Sequence, residues 1–96
     1  MGVGEIGMAT VVKKSGRQVS CQIDEEVAIL DLERSLYFGL EGVGVEIWEA
    51  LEQPRSVAEL CDRIVESFDV TRNECEKDVL ELLTSLQNEG LIEITK

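Results

Sequence analysis

Histidine is absent from the 96 residues, and with it go the commonest general base and the commonest metal ligand. Cysteine is scarce and odd in number: Cys21, Cys61 and Cys75 stand far apart, with no C-x-x-C pair. That pattern fits reduced cytosolic thiols rather than a disulfide framework, and all three read as structural. Positive charge is thin as well, nine Lys and Arg against twenty Asp and Glu for a net charge of −11, which repels phosphate backbones and anionic head groups alike. No run approaches the roughly 18 uncharged apolar residues of a membrane span. The opening MGVGEIGMATVVKK places its basic pair after the apolar residues and offers no small-residue cleavage site, so it does not read as a signal peptide. Nucleic acid and membrane are therefore not expected partners.

What is present suffices for one domain. A chain of 96 residues that is 44% apolar and 30% charged supports a single modest core and leaves nothing for a second. Residues 1–16 hold several glycines and no sustained period, and read as a flexible lead-in in which Ala9 to Lys13 is at best a short edge strand. Residues 17–96 read as the domain. Val19, Cys21 and Ile23 alternate, Asp24-Glu25-Glu26 makes a polar turn, and Val27 to Leu32 is a second β-rich run. Glu33-Arg34-Ser35 breaks the pattern again before a third strand over Leu36 to Leu40.

The period then lengthens from two to about 3.6. Val43, Ile47, Trp48 and Leu51 share one face of a first helix, which Pro54 stops. Ser56 with Glu59 forms a capping box ahead of a second helix whose apolar positions run from Val57 through Leu60, Cys61, Ile64 and Val65 to Phe68. Thr71 with Glu74 predicts another capping box and a third helix, striped by Cys75, Val79, Leu82, Leu83 and Leu86 and ending at Asn88-Glu89-Gly90. At about 1.5 Å per residue that helix is nearly 30 Å long. Leu91 to Ile94 closes the chain as a short strand or extended tail. The expected fold class is α+β, a three-stranded antiparallel β-meander followed by three α-helices.

Catalytic constellations are nearly missing. There is no G-x-S-x-G, no H-E-x-x-H and no phosphate-cradling loop, and Gly39 to Gly44 match no nucleotide fingerprint. Glu74, Glu76, Asp78 and Glu81 crowd the third helix but point to several sides of the cylinder, as a solvated face does. Trp48, Cys61 and Cys75 fall in apolar stripes and read as core. One arrangement does point to function. The third strand, last in a meander, lies at a sheet edge with unpaired N–H and C=O groups. On the third helix, Leu80 stands off the main stripe, turned roughly 120° from its centre, and with Leu83, Thr84 and Gln87 makes a second, partly apolar flank. An open edge beside such a flank is the layout of a peptide groove; a lone surface leucine, or one packed on the lead-in, is the plainer reading of Leu80.

The ordered series Leu36-Tyr37-Phe38-Gly39-Leu40, Val43-Gly44-x-x-Ile47-Trp48, Pro54-Arg55-Ser56-Val57-x-Glu59-Leu60 and Asp78-Val79-x-x-x-Leu83-x-x-Leu86-x-x-x-Gly90-Leu91-Ile92 resembles the PqqD-like family. These small chaperones recognise the precursors of ribosomally made, post-translationally modified peptides, and the version here is most similar to the stand-alone recognition elements of lasso-peptide pathways. The resemblance runs from about Val19 to Ile94. It implies a winged-helix-like fold, no catalysis, no cofactor and no metal, and a bacterial, cytoplasmic protein. It also implies that the leader segment of a precursor peptide adds as a strand to Leu36, Tyr37, Phe38, Gly39 and Leu40. The helical wall would then be the face bearing Glu76, Leu80, Leu83, Thr84 and Gln87. The partners implied are that leader peptide and a separate processing enzyme, in a lasso pathway a leader peptidase and a cyclase. Where the family usually has Asn after the strand-three leucine, this chain has Glu41, a poorer N-cap, followed by Gly42 and Gly44. The acidic flank of the third helix predicts a leader carrying Lys or Arg near its docking segment.

The element order alone also allows a winged-helix transcription regulator, with Thr71 to Glu89 as its recognition helix. That segment offers only Arg72 and Lys77 among many carboxylates, poor material for phosphate contacts. An enzyme subunit with carboxylate-bound metal has still less behind it, for want of histidine and of convergent spacing.

Overall fold

A computed structural model of the chain describes residues 6–16 and 18–95. In chain order the elements are β1 (Val11–Lys14), β2 (Gln18–Ile23), β3 (Glu26–Asp31), β4 (Leu36–Glu41), α1 (Val43–Ala50), β5 (Arg55–Ser56), α2 (Val57–Ser67), α3 (Arg72–Asn88) and β6 (Ile92–Ile94). The α+β class and the meander followed by three helices are as expected. Strands β2, β3 and β4 form one antiparallel sheet in that order, with Ile29 opposite Phe38 and Val27 opposite Leu40.

A second sheet, ordered β5-β1-β6 and also antiparallel, corrects the reading of the lead-in. Its central strand is β1, expected at best as an edge, and Val12 on that strand is fully buried. Val12 stands opposite both Arg55 and Ile94, so segments far apart in sequence converge on it. The lead-in also completes a helix end: the first N–H groups of α2, at Val57 and Ala58, donate to the carbonyls of Thr10 and Met8. Those N–H groups have no partner inside the helix. The remainder of the expected lead-in, residues 1–5, and the expected domain boundary at residue 17 lie outside the described residues.

The helices are placed by their caps. Ser56 Oγ accepts from Glu59 N at 3.1 Å and Glu59 Oε1 accepts from Ser56 N at 2.9 Å, the reciprocal capping box expected for α2. At α3 the Thr71 hydroxyl accepts from Glu74 N at 3.2 Å, and this half of the box is the one the described bonds contain. Gly42 is the N-cap of α1, at φ 60°, with no side-chain cap bond; that left-handed value disfavours any residue with a Cβ. Helix α3 ends in a Schellman motif. Leu91 N donates to Leu86 O and Gly90 N to Gln87 O, both at 2.9 Å, with Gly90 at φ 75°.

One core lies between the helices and the inner faces of the two sheets. Ile29, Ile47, Leu51, Leu60, Ile64, Leu83 and Leu86 are its largest fully buried side chains. Trp48 packs there too, with the Lys14 ammonium 4.5 Å from its ring centroid. Cys75 Sγ donates to the Cys61 carbonyl at 3.6 Å, and burial, with Cys75 beside it, pushes the Cys61 thiol up to about 12. These two cysteines are structural, as expected. Cys21 is not, because it stands exposed on β2.

Candidate functional site

Strand β4 is an outer strand of its sheet: β3 pairs one side, and no described strand pairs the other. Alternation along β4 sends Leu36, Phe38 and Leu40 to the inner face, opposite Asp31, Ile29 and Val27. Tyr37 and Gly39 face outward. The Tyr37 ring leans over Gly39, its hydroxyl 3.4 Å from where a Cβ on that glycine would stand.

Beside the first half of β4 lies a cavity of about 230 Å³, lined by Ile29, Asp31, Arg34, Leu36, Tyr37, Phe38, Glu89 and Leu91. Its far wall is the C-terminal end of α3, held there by Arg34 in the β3–β4 turn. Arg34 Nε donates to Asp31 Oδ2 at 2.9 Å, and Arg34 Nη2 donates to the carbonyl of Glu89, the C-cap of α3. Asp31 is buried and serves the turn three times, since its Oδ1 also accepts from Glu33 N and Arg34 N at 3.1 and 3.2 Å. The Arg34 side-chain hydrogen bond, above all, holds the Asp31 carboxyl below its ordinary 3.8. A cavity of this make-up takes one apolar side chain between Ile29, Leu36, Phe38 and Leu91, with a hydrogen-bonded ion pair at its rim.

The residues expected on the helical wall divide. Leu80 and Thr84 line a shallow depression with Glu81 and Ser85 on the surface of α3. Leu80 is partly buried against the core, and Gln87 is half-buried one turn nearer the cavity. Leu83 is fully buried, so it backs the wall from inside. Leu40 is likewise a core residue, 6% exposed, beneath α1. Glu76 accepts from Arg72 Nε at 2.9 Å while Arg72 Nη1 reaches Asp62 at 2.5 Å, a tie between α2 and α3. Both acidic partners raise the Arg72 pKa, Asp62 first, and keep its charge committed to them. Asp31, Arg34, Glu89 and Leu91 were missed in the sequence, although the Asp-x-x-Arg spacing across a polar break is a legible turn signal.

A free strand edge next to an apolar cavity and a helix end is what a module that binds extended peptides by strand addition presents. The family model for coenzyme PQQ synthesis protein D (PqqD) matches residues 26–92, and the chain belongs to that family. A solved structure titled TbiB1 in complex with the TbiA(beta) leader peptide superposes with a TM-score of 0.79 at 40% identity, over 84% of this chain and 94% of that one. A lasso peptide synthetase B1 complexed with the leader peptide shares the fold, with a TM-score of 0.76 at 23% identity over 85% and 96% of the two chains. No curated protein matches the sequence.

Proposed function

We propose that this protein is a non-catalytic carrier of a leader peptide. The leader of a ribosomally made precursor adds as a fourth strand outside β4, sets an apolar side chain into the cavity at Phe38 and Leu91, and runs along the α3 face at Gln87, Thr84 and Leu80. The carrier then presents the adjoining core peptide to a leader peptidase and a cyclase of a lasso pathway, in the cytoplasm of a bacterium. Backbone pairing supplies affinity and the cavity supplies selectivity. Tethering supplies rate, because a held substrate meets the partner enzyme at high effective concentration. The bond-breaking groups belong to that partner.

The observation that carries this reading is the open β4 edge beside an apolar cavity, in a chain 40% identical to TbiB1, whose structure contains a leader peptide. The carboxylates of Glu81 and Glu89 along the α3 face favour a leader with Lys or Arg near its docking segment. No observation favours duplex DNA: of the two cations on α3, Arg72 is paired with Asp62 and Glu76. Fluorescence anisotropy with labelled leaders of precursors encoded beside this chain, and with duplex DNA as comparison, tests the proposal. Saturable binding of one leader and none of DNA is expected; saturation by DNA alone would overturn the carrier reading.

A further inference from the structure

Asp31 is the one charged residue buried among the described residues. A buried carboxylate is costly unless it is paired and hydrogen-bonded, and a buried ion pair is better attested as a device that fixes conformation than as a source of stability. Here the pair sits where two separate pieces of chain meet. Ile29, Leu36, Tyr37 and Phe38 of the β3–β4 hairpin make one side of the cavity, and Glu89 and Leu91, at the end of α3 and just beyond it, make the other.

Arg34 joins the two sides. Its Nε donates to Asp31 Oδ2 at 2.9 Å and its Nη2 donates to the Glu89 carbonyl. The last carbonyls of a helix have no partner within it; the Schellman turn takes those of Leu86 and Gln87, and Arg34 takes that of Glu89. Among the described hydrogen bonds, this is the one that ties the β3–β4 hairpin to the end of α3. Asp31 is itself seated on backbone, since its Oδ1 accepts from Glu33 N and Arg34 N. A guanidinium is planar and presents its donors in a rigid fork, so with one nitrogen on Asp31 and another on Glu89 the two walls stand at a fixed spacing.

That spacing decides what the cavity accepts. A gap of about 0.5–1 Å around an apolar side chain forfeits about a quarter to a half of its contact energy, and a side chain too large for the space forces its neighbours off their rotamers. We propose that Arg34 is a positioning residue that sets the selectivity of the carrier: by holding the end of α3 against the β3–β4 hairpin, it confines the cavity to one size of apolar anchor on the leader. Selection acts through the width that Arg34 fixes, and the anchor itself meets Ile29, Leu36, Phe38 and Leu91. This inference rests on the carrier reading and names the residue that governs the selectivity of that groove.

The test uses the full-length chain with Arg34→Lys and Arg34→Met, and a leader whose anchor, the apolar position most sensitive to alanine, is replaced in turn by Val, Leu, Phe and Trp. The readout is the ratio of affinities between the best anchor and the next bulkier one, by fluorescence anisotropy, with melting curves to confirm folding. Wild type is expected to reject the bulkier anchor by at least about tenfold, and Arg34→Met by less than about threefold. Arg34→Lys keeps a positive charge beside Asp31 but lacks the fork that reaches both acceptors, so it is expected to melt closer to wild type than Arg34→Met does and still lose the selectivity. A merely structural role would weaken every leader alike and leave the ratio unmoved. An unchanged ratio in either folded variant overturns the assignment of Arg34, whereas failure of the wild-type chain to bind any leader overturns the carrier reading itself.

Discussion

Leu80 and Leu83 stand three residues apart on α3, and their different burial predicts opposite phenotypes. Leu83 is 0% exposed, hemmed by Val79 and Leu86 of its own helix. Truncating a buried leucine to alanine costs about 2–5 kcal/mol, more where the site cannot collapse. The capped helix and the Schellman turn hold the α3 backbone in place, which puts Leu83→Ala in the upper half, about 3–5 kcal/mol. In a domain of this size each kcal/mol lowers Tm by about 4–8 °C, so a fall of more than about 10 °C is expected. Leader affinity, measured well below that Tm, should stay within about threefold of wild type. Leu80 is only partly buried, so Leu80→Ala costs about 1 kcal/mol of stability, whereas Leu80→Asp weakens the leader by about 2–4 kcal/mol, roughly 30- to 1000-fold. Denaturation midpoints and anisotropy titrations on the variants separate the two quantities. A folded Leu80→Asp protein with wild-type affinity would remove Leu80 from the groove, and an unchanged Tm for Leu83→Ala would refute the packing argument.

Three further outcomes follow from the same geometry. Alternate residues of β4 turn their N–H toward β3 or toward the open side, so of Tyr37→Pro and Phe38→Pro one disrupts the ladder while the other leaves the fold intact and abolishes leader binding; circular dichroism with anisotropy checks this, and normal binding by both variants excludes strand addition. Because Asp31 titrates below 3.8 in the fold, its contribution is complete above that value and is lost as pH falls through the lower folded-state pKa. Asp31→Asn should therefore shrink the difference in urea midpoint between neutral and acid pH, and an unchanged difference contradicts the turn assignment. Ellman titration should find one reactive thiol, Cys21, in the native protein and all three cysteines in denaturant, since Cys61 is buried and raised to about 12; three fast thiols in the native state would mean the core is open.

The meander, the three helices and the α2 cap were legible because each is a local pattern: alternation over six residues, an apolar stripe at 3.6, a Ser-x-x-Glu box. The sheet β5-β1-β6 was not, because its strands of two to four residues come from three distant segments and take their order from burial of Val12. Alternation in β2 was visible, but which face it served depends on where the core ends, and the core stops beneath β3. Helical spacing joined Leu80 to Leu83 on one flank, although only the packing of α2 shows that Leu83 is inside. The β4 edge could be read from strand order. The cavity beside it could not, because the link from Arg34 to the Glu89 carbonyl spans 55 residues of sequence.

The claim that a leader peptide enters between β4 and α3 is tested most directly by a backbone amide NMR titration of the labelled chain with the leader encoded beside it. The largest shifts, with new slow-exchange protection along one side of β4, are expected at Leu36–Glu41, at Arg34 and at residues 80–91, with little change at Val19, Cys21 or Ile23. Shifts confined to the β2 face, with β4 silent, would contradict the account.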